Sequence, residues 1–281
     1  MASRLPDDLR ALRTAYGFNS GNVLTLTNPK VLKSDSVAPT AVLHLLPKYR
    51  GSCPAAGSCA ALCLNTAGNP AYLSGKLSRR RLRSDAFAEH PAAFARLLVL
   101  EVCRFVSKHP GADLLGLRLN GTSDFLWERV PVEICPDLVA FCLDRFGVRL
   151  LVGRFASLLQ PLTAALPQLR PYDYSKRTDR DWEAAAAFRY HLTLSHGSTA
   201  DTFGEAVARG LNYAAAFPIK RGQPLPATVT VQGLTLPVVD GDVTDWRPGD
   251  PSGSPYVVGL RIKRTPGQTD AQRAAFCLGA A

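Results

Sequence analysis

The apolar run Ala41-Val42-Leu43-His44-Leu45-Leu46 leads, after Pro47, into Cys53-Pro54-Ala55-Ala56-Gly57-Ser58-Cys59-Ala60-Ala61-Leu62-Cys63. Because the apolar run is short and ends at a proline, it predicts a buried strand. The stretch that follows holds three of the seven cysteines of the chain. A strand that leads directly into such a loop is expected where the loop lies at the carboxyl edge of a parallel sheet. The two segments together predict an α/β fold with a site at that edge.

The spacing of the three cysteines indicates a ligand set. Cys59 and Cys63 are four positions apart, so a helix that begins near Ala55 would place both thiols on one face. Pro54 suits the first position of that helix. With Cys53 on the approach, three converging thiolates would bind a metal ion such as zinc or a [4Fe–4S] cluster. The alternative is that Cys59 and Cys63 pack in the core of the helix.

The other cysteines are scattered along the chain. Cys135 and Cys277 are the candidates for a fourth ligand. Cys103 and Cys142 lie in apolar helical stretches, where a free cysteine behaves as a small hydrophobic residue, and we expect both in the core.

Composition limits the function classes. The chain has 281 residues, 46% of them hydrophobic, and no run approaches the roughly 20 apolar residues of a membrane span. The first residues lack the apolar core of a signal peptide, so we expect a cytoplasmic protein with no membrane partner and with thiols rather than disulfides. A formal net charge of +10 favours an anionic partner, with nucleic acid, and DNA before RNA, as the first candidate.

Strand and helix patterns alternate along residues 41–265, which predicts one domain with a mostly parallel sheet and right-handed crossovers. With about seven strands, a partial or complete (β/α) barrel is favoured over an open sheet. Residues 1–40 are predicted to be an N-terminal arm, with a short helix at Asp7–Tyr16 and a polar tether that includes Asn28-Pro29-Lys30 and Lys33-Ser34-Asp35. One long helix is expected from Ala86 to Lys108, and residues 266–281 form a tail.

Polar residues follow several predicted strands, at the end where barrel enzymes carry their chemistry. They are Asn120, Ser123, Asp124, Tyr174, Lys176, Ser195, Asp240 and Asp242. The same segments are ordinary turn formers, so each also has a purely structural interpretation. Lys176, close to two tyrosines and an aspartate, is a candidate contact for an anion or a carboxylate. The spacing of the late aspartates does not match a calcium loop.

A basic segment precedes the predicted long helix. Its arginines are Arg79, Arg80, Arg81 and Arg83. The functional interpretation is a ridge that contacts phosphate groups. The alternative is a solvated helix face.

Several of these blocks, in this order, resemble the "gene product 88" domain family of bacteriophage and prophage proteins. They are the run from Cys53 to Gly68, Arg118-Leu119-Asn120-Gly121-Thr122-Ser123-Asp124, Tyr172-Asp173-Tyr174-Ser175-Lys176, Tyr190-His191-Leu192-Thr193-Leu194-Ser195 and Val239-Asp240-Gly241-Asp242. The resemblance covers residues 20–263 and implies a phage-type protein of the bacterial host cytoplasm, but no established activity. Ser175 stands where the family pattern usually has threonine.

A more distant similarity is to radical S-adenosylmethionine enzymes, which place a three-cysteine loop after the first strand of a partial (β/α) barrel. This similarity implies a [4Fe–4S] cluster on Cys53, Cys59 and Cys63, with the fourth iron open to S-adenosylmethionine. It also implies that Asn120, Ser123, Ser195, Asp240 and Asp242 bind the cosubstrate and that Tyr174, Lys176 and Asp124 are catalytic. The cysteine spacing departs from the usual Cys-x3-Cys-x2-Cys, which puts the activity, more than the cluster, in question.

Three hypotheses follow. The first is an iron–sulfur protein that acts on nucleic acid through radical S-adenosylmethionine chemistry. The second is a non-enzymatic nucleic-acid-binding protein with a structural zinc or cluster, which needs a fourth ligand. The third is a divalent-metal-dependent nuclease built on Asp124, Asp173, Asp240 and Asp242.

Overall fold

The computed structural model describes residues 3–18, 23–26, 37–66, 72–251, 255–263 and 267–279. Its helices are α1 (Asp7–Ala15), α2 (Leu73–Glu89), α3 (Pro91–Ser107), α4 (Pro136–Phe146), α5 (Leu159–Ala165), α6 (Trp182–Ala187), α7 (Thr202–Ala208) and α8 (Asp270–Phe276). Its strands are β1 (Leu24–Thr25), β2 (Thr40–Leu43), β3 (Leu115–Arg118), β4 (Val132–Ile134), β5 (Gly153–Phe155), β6 (Leu169–Ser175), β7 (His191–Ser195), β8 (Tyr213–Phe217), β9 (Thr228–Val231), β10 (Leu234–Asp240) and β11 (Val257–Arg261).

Nine strands form one sheet in the order β1-β2-β3-β6-β7-β8-β11-β10-β9. Every pair from β2 to β10 is parallel, and only β1 and β9, at the two edges, are antiparallel to their neighbours. The prediction of an α/β fold with a large, mostly parallel sheet is confirmed. Within the described residues the sheet ends at β1 and β9, so a closed barrel is not seen.

The helices cover one face of the sheet. From β2 to β8 the chain steps to the neighbouring position in one direction, and right-handed crossovers then place the connecting helices on the same side. The packing agrees, because Leu115, Leu117 and Leu119 share one core with the buried residues of α3, α4 and α5. Helix α3 lies at the centre of this core and contacts α1, α2 and α4.

The opposite face is covered by the connection between β10 and β11. This connection steps back towards β8, so a right-handed path crosses the other side of the sheet. Arg118, which alternates with the leucines of β3, accordingly pairs with Asp245 of the connection. The ring of Trp246 lies 5.4 Å from that of Tyr172, and Arg247 is 2% exposed. This second face of the sheet, the inner face, is therefore covered by the chain itself.

The described part of residues 1–40 belongs to the core and is not a separate arm. Leu9 and Leu12 of α1 are 0% and 4% exposed and belong to the main core. Residues three apart on a helix face the same way, so this pair of leucines docks α1 on α3. Leu24 pairs with Leu43 across β1 and β2. The predicted tether at Asn28-Pro29-Lys30 and Lys33-Ser34-Asp35 lies outside the described residues.

The single long helix predicted from Ala86 to Lys108 is wrong, because the chain turns at His90, just before Pro91, and forms α2 and α3 instead. Proline disfavours a helical conformation in the residue before it and suits the first position of a new helix.

The hairpin of β9 and β10 was not predicted from the sequence. Its turn residues Gln232 and Gly233 both have positive φ, 48° and 80°, as a two-residue hairpin requires.

None of the described helices is long and apolar enough to cross a bilayer.

Replacement of Leu12 by alanine tests whether α1 is part of the core. Deletion of a buried leucine side chain removes apolar burial and leaves a cavity, so we expect the free energy of unfolding to fall by about 2–5 kcal/mol in urea titrations. The matched control is Leu143→Ala, because Leu143 is 42% exposed and surface changes of this kind stay within about 0.5 kcal/mol. Equal effects of the two substitutions would contradict the assignment of α1 to the core.

Candidate functional site

The cysteine loop lies between β2 and α2 and docks against the connection that follows β7. The Cys59 amide donates a hydrogen bond to the Gly197 carbonyl over 3.2 Å. Gly57 permits this approach, because a Cβ there would lie 2.8 Å from the backbone of Ser198, closer than side chains tolerate. The loop is therefore held at the carboxyl edge of the sheet, where the sequence placed it.

The predicted helix from Ala55 is wrong. The loop instead contains two short 3₁₀ turns, Ser58–Ala60 and Leu64–Thr66. The reason is competition for backbone groups, since the Cys59 amide bonds across to another segment and not back along its own chain. Cys59 and Cys63 consequently do not stack on one helical face.

The three thiols of the loop are free and half-buried. Burial raises the pKa of Cys53 and of Cys59, and negative charge on Cys63 raises each further. A charge on Cys63 therefore affects the pKa of both other thiols of the loop. Within the described residues, however, no group of three or more His, Cys, Asp or Glu side chains is placed to hold a metal ion. Cys53, Cys59 and Cys63 therefore lie on one loop but are not arranged as a metal site in this structure.

The remaining cysteines divide as follows. Cys103 and Cys142 are fully buried in the main core, which confirms their prediction as core residues. Cys135 packs against the main core from the residue before α4. Cys277 is buried at the end of α8, and α8 packs against the turn Ser58–Ala60. Of the two candidates for a fourth ligand, only Cys277 is brought to the side of the cysteine loop.

Lys176, directly after β6, places its ammonium group beside this loop. Its Nζ donates to Ser195 Oγ over 2.8 Å and to the His196 carbonyl over 2.5 Å. Burial lowers the pKa of Lys176, whereas the Cys59 thiol and then the Asp124 carboxylate raise it. Because both hydrogen-bond acceptors are neutral, the groups that can balance the ammonium charge are the Asp124 carboxylate and, when it is deprotonated, the Cys59 thiolate. Among the predicted site residues, Lys176 thus interacts electrostatically with Cys59 of the loop, and Ser195 accepts a hydrogen bond from Lys176.

Asp124 joins the segments around Lys176. It accepts hydrogen bonds from Ser175 Oγ (3.0 Å), the Lys176 amide (2.7 Å) and Arg180 Nη2 (2.5 Å). Its own amide donates to the Ser52 carbonyl over 2.7 Å, one residue before the first cysteine. These bonds occupy the carboxylate and make Asp124 a positioning group in this structure.

Asn120 and Ser123 are used within the connection that follows β3. Asn120 Oδ1 accepts hydrogen bonds from Ser123 Oγ (3.0 Å), the Phe125 amide (2.9 Å) and Trp127 Nε1 (2.9 Å). Trp127 is fully buried in the main core. Both predicted cosubstrate ligands are thus engaged in anchoring this connection.

The acidic residues of the nuclease hypothesis are engaged elsewhere. Asp240 and Asp242 pair with Arg261 over 2.8 Å and 3.1 Å. Asp173 is buried, accepts a hydrogen bond from the Tyr190 hydroxyl (2.8 Å), and burial raises its pKa to about 7. The described residues therefore give the nuclease hypothesis no support.

Tyr174 faces the inner side of the sheet. The Arg118 guanidinium lies 5.3 Å from its ring, and burial raises the pKa of its hydroxyl. Within the described residues this hydroxyl has no hydrogen-bond partner. Tyr174 and Lys176, both predicted to be catalytic, thus have different surroundings.

The basic segment does not form the single ridge that the sequence predicted. Arg79 and Arg81 are exposed, whereas Arg80 and Arg83 are 8% and 9% exposed. Arg80 donates to Asn65 in the second turn of the cysteine loop. Burial lowers the pKa of Arg80 and lowers that of Arg83 to about 10. The ridge is split because residues three apart on α2 face inward together.

The C-terminal helix α8 is the part of the site that the sequence analysis missed. The Phe276 ring lies 5.9 Å from the Lys176 ammonium and 6.1 Å from the His196 ring. A signal for this helix was present, because Thr269 and Gln272 have the spacing of a capping box and form one. The residues predicted to form a tail therefore include a helix that packs against the cysteine loop at the carboxyl edge.

Replacement of Lys176 by methionine tests the link between the ammonium group and Cys59. Loss of the cation removes the charge that lowers the pKa of Cys59, so less thiolate is present at a given pH. We expect alkylation of Cys59 by iodoacetamide at pH 8 to slow about threefold or more, as measured by mass spectrometry of the labelled peptide. Lys220→Met, at an exposed position, is the control. Unchanged or faster labelling of Cys59 in the Lys176 variant would contradict the link.

The comparisons with known proteins place this fold in a family. The family model described as "Gene product 88" matches residues 18–279. No match is found among curated proteins or among solved structures. The matched range takes in α8 as well as the blocks at Cys53–Cys63, Asn120–Asp124 and Tyr172–Lys176. The chain belongs to the gene product 88 family.

Proposed function

We propose that this protein binds a metal centre, foremost an iron–sulfur cluster, through Cys53, Cys59 and Cys63, and that it acts on nucleic acid in the cytoplasm of the bacterial host. The observation that carries the proposal is the set of three free thiols on one loop, docked at the carboxyl edge of a parallel sheet. Ligands and reactive groups collect at this edge in proteins built on parallel strands.

The charges around the loop support this role. Thiols bind metals as thiolates, and burial opposes their deprotonation. Lys176 and then Lys48 lower the pKa of Cys59, and interaction with Cys63 raises the pKa of Arg80 against the effect of burial. The cations near the loop thus partly offset the effect of burial, although the pKa of Cys59 remains above its usual value.

The proposed cluster has three protein ligands. Cys59 lies in the first 3₁₀ turn, whereas Cys53 and Cys63 lie outside both turns, so binding would have to draw Cys53, Cys59 and Cys63 together around the metal. A [4Fe–4S] cluster held in this way supplies electron-transfer chemistry and one iron open to a further ligand. Lys176 and Ser195, joined by a hydrogen bond of 2.8 Å, would orient a polar group at that position.

S-adenosylmethionine as the cosubstrate is supported by the topology. Neighbouring parallel strands follow one another from β2 to β8 with their helices on one face, which is the order of a partial (β/α) barrel. The cysteine loop follows the first of these strands. Of the residues first assigned to cosubstrate binding, Ser195 retains this role in the proposal, because Asn120, Ser123, Asp240 and Asp242 hold other parts of the chain.

A structural zinc site is the second candidate. It is favoured by Cys277, which α8 carries to the side of the loop and which would provide the fourth thiolate of a closed site. In this case the protein has no reaction of its own, and the metal joins the C-terminal helix to the sheet.

Metal analysis of protein purified without oxygen tests the proposal. We expect the native protein to contain iron and acid-labile sulfide and to absorb near 400 nm. Cys53→Ala, Cys59→Ala and Cys63→Ala should each lose most of the metal, because each removes one of three ligands. Cys135→Ala is the matched control, since this half-buried thiol lies against the main core, and it should retain the metal.

Cys277→Ala distinguishes the two candidates. A cluster with three ligands survives this substitution, whereas a four-cysteine zinc site loses its metal. Native protein that contains neither iron nor zinc, together with a Cys59→Ala variant of unchanged stability, would refute the metal centre altogether.

A further inference from the structure

A basic cleft lies at the carboxyl ends of β8 and β11, and α8 borders both this cleft and the cysteine loop. The cleft has a volume of about 370 Å³ and is lined by Pro218, Ile219, Lys220, Arg221, Ile262, Asp270, Arg273 and Ala274. On the side of the loop, the Phe276 ring of the same helix contacts Lys176. A ligand in the cleft would therefore lie one helix away from the thiols.

The positive charge of the cleft is largely unbalanced. Lys220, Arg221 and Lys263, the residue after Ile262, are exposed, and the structure gives these side chains no ion pair within the described residues. Arg273 pairs with Asp270, the only carboxylate among the lining residues. An excess of cations in a recess concentrates anions there.

The neighbouring carboxylates cannot neutralise this excess, because they are already paired. Asp240 and Asp242, at the end of β10, both bind the guanidinium of Arg261. Arg261 therefore uses its charge to hold β10 and β11 together, and Asp240 and Asp242 are paired with it instead of with the exposed cations around the cleft. The latter are available to a partner.

We propose that this cleft binds the phosphodiester backbone of a single-stranded nucleic acid. The proposal rests on the nucleic-acid partner proposed above and assigns its binding site to Lys220, Arg221 and Arg273, in place of the ridge at Arg79–Arg83. The volume is near the lower end of the range for ligand pockets, so the cleft can hold only a short part of the strand. The described residues that line the cleft include no aromatic side chain, so binding depends on phosphate contacts and is tolerant of sequence.

Binding of a fluorescein-labelled single-stranded DNA of about 20 nucleotides, followed by anisotropy over a salt series, tests this assignment. The test variant is Lys220→Gln with Arg221→Gln. We expect its affinity to fall about tenfold or more at 0.1 M salt, and the slope of log K against log salt to become shallower by about 1.4, since two phosphate contacts are lost. The matched control is Arg79→Gln with Arg81→Gln, which removes the same charge from exposed positions of α2 and should leave both quantities close to those of the native protein.

Two outcomes would overturn the assignment. One is an equal or larger loss in the control, which would place the contacts on α2. The other is equal displacement of the DNA by polyglutamate of matched charge, which would show a site for acidic polymers in general. Metal content measured on the same preparations separates this proposal from the metal centre. Native protein that holds metal but binds no DNA refutes the nucleic-acid partner and with it the cleft, whereas DNA binding that the substitutions of Lys220 and Arg221 leave unchanged refutes the cleft alone. DNA binding by native protein that contains no metal refutes the metal centre alone.

Discussion

The buried ion pair between Asp124 and Arg180 is the interaction on which the geometry of the candidate site depends. Asp124 is bound at once to the approach of the cysteine loop, through Ser52, and to the end of β6, through the Lys176 amide. Arg180 is buried and reaches Glu128 as well, over 2.9 Å. Removal of one partner from a buried pair leaves an uncompensated charge and costs about 3–5 kcal/mol. The position of Lys176 against the thiols is therefore a consequence of this pair.

The direction of the crossovers decides which side of the sheet remains for function. Forward steps place the helices on one face, and the backward step from β10 to β11 sends its connection over the other face. Trp246 and Arg247 fill that face, with Arg247 also paired to Asp250 over 3.1 Å. With both faces covered, the carboxyl edge is the surface where the strand ends leave clefts and half-buried side chains. The cysteine loop, α8 and the basic cleft all lie along it.

Local patterns in the sequence were sufficient to predict the parallel sheet, the burial of Cys103 and Cys142 and the position of the cysteine loop, because these depend on periodicity and on chain order. The helix across the cysteines could not be predicted correctly, since its backbone groups find partners in the connection after β7. The roles of Asn120 and Asp240 were also beyond prediction. Turn formers and ligands use the same polar side chains, and only the contacts of Asn120 with Trp127 and of Asp240 with Arg261 separate the two. The burial of Arg80 depends on the orientation of α2 in the fold. This orientation cannot be derived from the number of charged residues in the segment.

The two proposed sites would place two anionic groups next to each other, so positive charge is needed between them. A cluster held by three thiolates and a phosphodiester backbone are both negative, so they repel unless cations lie between them. Helix α8 lies between the cleft and the cysteine loop. Its Arg273 lines the cleft, and its Phe276 contacts Lys176, which lies beside the loop. Because Lys176 is half-buried and its hydrogen-bond acceptors are neutral, a negative centre at Cys59 would also stabilise this lysine, so the proposed metal site and the packing around Lys176 would reinforce each other.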